Sequence, residues 1–424
     1  MSETTILLDD AGGTRDSSRI KRPAVSIYHV LLAVACFLGS MSVVFHYYAL
    51  AKLGQPTAED ILRLAPLIDL AADIYVDGHN DFAIWIRAFY QNHIYQQNFS
   101  GEIPLYGQVD FPRLRSGGLR GQFWSVYVEC PRTPNDHSDE AYFEIVRDTL
   151  QQIDLVQRLV NAYADRLVLA DSSADFWREF SQSSRISSFL GVEGLHQIAN
   201  SASVLRLYHR LGVRYATLTH ECHNAYADSA TPRIPLHHGL SKAGEELVQE
   251  MNRLGMAVDL AHVSHETMRN VLAVSTAPVI FSHSSAYAVC PHERNVPNDV
   301  LHLLRENRGI IMITFYPEYS RCGDSDLASL GDIADHIQYV GELIGYRYIG
   351  LGSDFDGMPA GPQGLEDVSK YPDLISELLH RGVSRDDLAG VIGENILRVM
   401  EEIERVAADS SDQLPLEDDV KPFF

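Results

Sequence analysis

Eight short apolar runs, separated by segments of helical pattern, constrain this chain more than any other feature. They are Ile74–Val76, Phe123–Val128, Ile186–Val192, Tyr215–Leu218, Met256–Leu260, Val279–Phe281, Ile310–Phe315 and Tyr348–Leu351. Most intervals carry apolar residues three and four apart, as in Tyr142 to Tyr163, or open on a capping serine, as at Ser241 before the segment ending near Gly255. Pro297 to Arg308 and Leu374 to Leu379 continue the pattern. Strands apolar throughout are buried on both faces, which implies a parallel sheet covered by helices. Eight such units predict a (β/α)8 TIM-type barrel within the α/β class. An open doubly wound sheet is the alternative.

The chain has 424 residues, enough for a large core, with 46% hydrophobic and 21% charged residues. Its net charge of −23 leaves no basic field to neutralise phosphates, so nucleic acid is not expected as a partner. Residues 24–45 hold no Asp, Glu, Lys or Arg, and their length suits a transmembrane helix. Arg15, Arg19, Lys21 and Arg22 precede them, and only Lys52 follows closely. That asymmetry predicts a single-pass signal anchor, with residues 1–23 a cytoplasmic tail and the rest extracellular or lumenal. A cleaved signal peptide is the competing expectation, since Ala49-Leu50-Ala51 has the form of a cleavage site. Residues 46–72 read as a lead-in, 73–408 as the barrel, and 409–424 as a frayed acidic tail. Cys36 lies in the apolar span; Cys130, Cys222, Cys290 and Cys322 lie in the domain placed outside. An even number in an oxidising compartment suggests two disulfides, and spacing alone allows three pairings. Asn98 heads the only glycosylation sequon, on the same side.

Six of the runs end in metal-competent side chains. His79 and Asp81 close the first, Glu193 the third, His220 the fourth, His262 the fifth, His283 the sixth and Asp354 the eighth. In a barrel these ends converge at the C-terminal mouth, where such folds place their sites. The inventory fits two cations: His79 and Asp81 on one, His262 and His283 on the other, with Glu193 bridging. Such a pair would lower the pKa of bound water and polarise a carbonyl, which is hydrolysis without a protein nucleophile. His265 reads as the start of a helix rather than as a ligand. No His-Glu-x-x-His, nucleophile elbow, Walker loop or Rossmann fingerprint occurs.

These motifs resemble those of the membrane dipeptidase (renal dipeptidase) family. The resemblance is carried by Asp77-Gly78-His79-Asn80-Asp81, Gly191-Val192-Glu193-Gly194, Leu218-Thr219-His220, Asp259-Leu260-Ala261-His262-Val263-Ser264, Ser282-His283-Ser284-Ser285-Ala286-Tyr287, Arg294-Asn295-Val296-Pro297 and Gly352-Ser353-Asp354-Phe355-Asp356-Gly357. It implies a binuclear zinc hydrolase of the amidohydrolase type that cleaves dipeptides with broad side-chain tolerance. It implies two zinc ions, one on His79, Asp81 and Glu193, the other on Glu193, His262 and His283, with a metal-bridging hydroxide as nucleophile. His220 would stabilise the oxyanion, Arg294 would clamp the free carboxylate, and Asp354 would carry the proton to the leaving amine. A structural carboxylate is the alternative for Asp354. The implied disulfides are Cys130–Cys222 and Cys290–Cys322. Dipeptides are the expected partners, with the membrane through the N-terminal helix and a homodimer as the candidate assembly. The same site acting on a modified dipeptide, a cysteinyl-glycine conjugate or a β-lactam is the second expectation. A surface binding protein without catalysis is the third. Two departures stand out. Glu221 to Asp228 lacks the tryptophan expected in the animal enzymes, which bears on substrate preference, and the final residues carry no hydrophobic tail for a lipid anchor.

Overall fold

The computed structural model describes residues 75–420, apart from 97–98, 100–104, 134–135 and 137. The expected anchor at 24–45, the lead-in at 46–72 and the Asn98 sequon lie outside the described residues. Among the described residues, no helix is long and apolar enough to cross a membrane.

Strand β1 (Tyr75–Asn80) pairs with β2 (Leu119–Ser125), and β2 pairs with β4 (Ile186–Glu193). The ladder continues through β5 (Val213–Thr217), β6 (Ala257–Asp259), β7 (Ile280–Ser284), β8 (Ile310–Ile313) and β9 (Ile349–Leu351). Strand β9 returns to β1, and every pairing is parallel, so eight strands close into a barrel. The open doubly wound alternative is excluded by that closure. Each of the eight apolar runs contributes one barrel strand. A further short strand, β3 (Leu167–Leu169), adds to the edge of β4 and is not among the eight expected runs.

The closed sheet sorts its side chains by the two-residue period of a strand. On β8, Ile311 and Ile313 join a cluster with Ile333, Ile337 and Val340 of the helix Leu330–Ile344. Ile310 and Met312 join a separate cluster with Phe123, Phe189 and Tyr215. There the Phe123 and Phe189 rings stack with centroids 4.7 Å apart. Gly191 leaves room for the Tyr215 ring, because a Cβ on it would lie 2.0 Å from the ring's Cζ.

Two ladders are minimal: β1 meets β9, and β6 meets β7, through one register pair each. Both are reinforced by the same device. Asp77 accepts the backbone N–H and hydroxyl of Ser353 at 2.8 and 2.7 Å. Asp259 accepts those of Ser282 at 2.8 and 2.6 Å. A carboxylate that takes both donors of a neighbouring serine does the work of missing ladder bonds.

Helix ends follow the capping signals. Ser241 caps Lys242–Leu254, which closes on Gly255 at φ 78°. Ser264 caps His265–Val274, so His265 is indeed the first helical residue, and its Nε2 lies 2.9 Å from the Asn295 carbonyl. The C-terminal expectation needs correcting. The helix Asn395–Asp409 is followed by a docked segment rather than a frayed one. Asp418 accepts from the Ser201 hydroxyl and from the Ala202 and Ser203 N–H groups at 2.7–3.0 Å. Leu416 is held by Glu250 and Arg206. The acidic composition of the tail hid a carboxylate that satisfies a helix N-terminus. Asp418→Ala should therefore lower stability by about 1 kcal/mol in chemical denaturation, with no change in any site property.

Candidate metal centre at the barrel mouth

The strand ends deliver their side chains to one point. His79 is the penultimate residue of β1, Glu193 ends β4 and His283 lies within β7. His220, His262 and Asp354 lie just past β5, β6 and β9. His262 and Asp354 both have φ of 64°, a left-handed backbone that is costly for residues with a Cβ. That backbone turns each chain sharply off its strand.

Four imidazoles surround one carboxylate oxygen. Glu193 Oε1 lies 3.1 Å from His262 Nε2, 3.4 Å from His79 Nε2, 3.5 Å from His283 Nε2 and 3.9 Å from His220 Nε2. His79 Nε2 is 3.2 Å from Asp81 Oδ2, and the Nε2 atoms of His262 and His283 are 2.8 Å apart. Ligands of a tetrahedral zinc stand about 3.2–3.6 Å from one another. Both expected trios, His79–Asp81–Glu193 and Glu193–His262–His283, are thus assembled at close to ligand spacing. Asp354 groups with His79 and His283, and His220 with Glu193 and His262. One further trio, Cys130, His196 and Cys222, is no metal site, because its sulfurs are bonded to each other.

Around this shell stand oriented hydroxyl groups. The Ser125 hydroxyl donates to Glu193 Oε2 at 3.1 Å. The Tyr215 hydroxyl lies 2.7 Å from His79 Nδ1, and the Ser282 hydroxyl 2.9 Å from His283 Nδ1. All of these groups are buried.

Burial sets the charge state. It pushes the Glu193 carboxyl up to about 8, helped by Asp81, and the Asp354 carboxyl up to about 7. For His79 burial acts downward, but the carboxylates of Glu193 and Asp81 outweigh it and hold the imidazole at about 10. Burial holds His220, His262 and His283 well below the usual histidine range, with the Arg294 charge adding to it. A divalent cation needs His79 and Glu193 without their protons. Metal uptake at neutral pH should therefore release protons, and affinity should tighten as the pH rises from about 6 toward 8. Titration calorimetry in two buffers of different ionisation enthalpy measures that release; identical heats in both would refute it.

A cavity of about 250 Å³ opens over the cluster, lined by Asp81, Tyr127, Glu193, His220, His262 and Asp354. A second, of about 730 Å³, adjoins it at Glu221 and Tyr319, and Arg294 opens on this one. Arg294 is 3% exposed, yet its Nε, Nη1 and Nη2 have no hydrogen-bond partner. Its guanidinium lies 5.1 Å from the Tyr319 ring centroid. Asn295 fixes the segment, its amide donating to the carbonyls of Cys290 and Tyr319 at 2.9 and 2.8 Å. A buried, preformed cationic fork facing a cavity suits a carboxylate.

Tyr127, Tyr316 and Tyr319 escaped the sequence reading. They follow β2 and β8, the two barrel strands that end without a ligand, and that position was the available signal. Disulfides join Cys130 to Cys222 and Cys290 to Cys322, with Cα–Cα distances of 6.1 and 5.2 Å. They staple the loops after β2 and β5, and after β7 and β8. The loop where a tryptophan was expected is organised instead by Asp228, which accepts the N–H groups of Leu236, His237 and Gly239. His223 takes part in the same loop, accepting the Ser229 N–H at 3.0 Å, and so is structural.

Residues 68–414 match the family model of membrane dipeptidase, peptidase family M19. The dipeptidase aclJ of Aspergillus oryzae is 65% identical over 86% of this chain and 85% of its own length. The dipeptidase tcpJ of Claviceps purpurea is 51% identical over 82% of this chain and 81% of its own. Among solved structures, a metallo peptidase from Rhodobacter sphaeroides, liganded with a phosphinate mimic of the dipeptide L-Ala-D-Ala, is 25% identical. It superposes with a TM-score of 0.68, covering 78% of this chain and 99% of that one.

Proposed function

Because the chain belongs to the membrane dipeptidase family and hydrolyses dipeptides in a metal-dependent reaction, we propose that its site holds two zinc ions bridged by Glu193 and reads the substrate's free carboxylate through Arg294. His79 and Asp81 complete one ion's protein ligands, and His262 and His283 the other's. Bound there, the ions supply Lewis acidity, activating water and polarising the scissile carbonyl. The chain's own residues do the rest. Arg294 donates its N–H groups to the carboxylate of the C-terminal residue and sets the register of the peptide. His220, kept neutral by burial, presents a ring N–H to the developing oxyanion. Asp354, whose carboxyl burial raises, takes a proton from the attacking water and delivers it to the leaving amine.

The observation that carries this reading is the unpartnered Arg294 guanidinium beside a complete ligand cluster. A site built only to bind a metal has no use for a buried cation beside it. The larger cavity under Arg294 also favours a second reading of the substrate, a modified dipeptide such as a cysteinyl-glycine conjugate or a β-lactam. From sequence alone we further propose that residues 24–45 anchor the chain with its catalytic domain extracellular or lumenal, that Asn98 is glycosylated, and that the assembly is a homodimer.

The test is metal analysis with hydrolysis of alanyl-alanine and its C-terminal amide by the purified protein. Two zinc per chain, loss of activity on chelation and strong preference for the free acid are expected. Folded protein without metal, or equal cleavage of acid and amide, would overturn the reading.

A further inference from the structure

The geometry points to Ser282, backed by Asp259, as the positioning residue that fixes the ring tautomer of His283 before any metal binds. The inference rests on His283 being a metal ligand.

Asp259 Oδ1 accepts the Ala261 and Ser282 N–H groups at 3.1 and 2.8 Å. Its Oδ2 accepts the Thr217 hydroxyl at 2.5 Å and faces the Ser282 hydroxyl at 2.6 Å. Two oxygens 2.6 Å apart need a proton between them. The carboxylate is saturated with donors, so that proton belongs to Ser282. A hydroxyl has one proton, so toward His283 Nδ1, 2.9 Å away, Ser282 can only accept. His283 must then carry its hydrogen on Nδ1. Its Nε2 is left as a bare lone pair, 2.8 Å from His262 Nε2 and 3.5 Å from Glu193 Oε1. That is the tautomer a metal needs on this nitrogen.

The clasp of Ser353 on Asp77 repeats the pattern, but there the hydroxyl turns its other side to the His79 backbone carbonyl, at 3.2 Å. That clasp ties strands. The one at Ser282 ties strands and also hands its spare acceptor to a ligand ring.

Nitrogen-15 spectra of the metal-free protein, labelled at histidine, read the tautomer directly. The His283 ring should show a protonated Nδ1 and a bare Nε2; the opposite pattern overturns the proposal whether or not any variant folds. In Ser282→Ala the metal-free tautomer should become mixed, and zinc affinity, by chelator competition, should fall about 10- to 100-fold. Thr217→Val removes another hydrogen bond from the same carboxylate without touching an imidazole. It should cost similar stability and change affinity less than about threefold. Equal losses in both variants would reduce Ser282 to a structural role. If the wild-type chain binds no zinc at all, the metal reading fails, and the ring spectrum still decides the clasp.

Discussion

Glu193→Gln should abolish binuclear metal binding and lower kcat/KM for dipeptides by about three to four orders of magnitude. The magnitude follows from the several kcal/mol that paired metals supply to a hydrolytic transition state, at about 1.4 kcal/mol per tenfold. Glu193 Oε1 is the atom on which four imidazole nitrogens converge. An amide of the same shape keeps the packing and the Ser125 contact but removes the charge that lets two cations approach each other. In the metal-free state the substitution should be mild. Burial pushes the Glu193 carboxyl upward, toward the neutral form that glutamine imitates. The expected result is a metal-free variant that melts within a few degrees of its parent, with metal content by mass spectrometry at or below one ion per chain. Retention of two ions would remove Glu193 from the bridging position.

Arg294→Met should separate recognition from stability. Loss of a charge-assisted fork to the substrate carboxylate costs about 2–5 kcal/mol, which is roughly 30-fold to several thousand-fold in kcat/KM. The loss should fall on substrates with a free C-terminal carboxylate. Amidated dipeptides should be cleaved no worse than by the parent, so the preference for acid over amide collapses. The free protein should meanwhile become more stable by about 1 kcal/mol. The parent buries a guanidinium with no hydrogen-bonded partner, and methionine fills similar space without that penalty. Weaker catalysis with a higher melting temperature is the paired outcome, read by steady-state kinetics and calorimetry. A variant that is both inactive and unstable would make Arg294 a structural residue.

Much of this architecture is legible in the sequence. The barrel was readable because each strand, buried on both faces, writes its position as a solid apolar run. The ligands were readable because they terminate those runs. Strand β3 was not: Leu167–Leu169 is as apolar as the shorter runs, but it follows the long helical segment from Tyr142 directly and pairs only at the edge of β4, outside the eight-strand closure. The tyrosines at the mouth were missed for a different reason: Tyr127 reads as the apolar end of the run Phe123–Val128, and Tyr316 and Tyr319 belong to a helix of only four residues, Pro317–Ser320, and its N-cap, too short to show a period. The docked tail shows composition misleading. Asp418 looks like solvated charge in sequence, and only its contact with the helix at Ala202 gives it a partner. The protons assigned along Asp259, Ser282 and His283 needed distances, because sequence says that two groups are adjacent but never which of them donates.

The loop between Cys222 and Ser241 supplies no metal ligand, yet it walls the larger cavity. It is stapled to the barrel at Cys222 and returns to it at Ser241, where Ser241 donates its hydroxyl to the Ala225 carbonyl. Asp228 holds its interior from within. The same loop is also fastened to the catalytic ring, because the Ala230 N–H donates to the His262 carbonyl at 2.8 Å and the Ser229 hydroxyl to the His220 carbonyl at 2.5 Å. The wall that shapes the substrate cavity and the backbone that presents two site histidines are therefore one unit, and a change of loop made to alter preference also shifts the groups that do the chemistry.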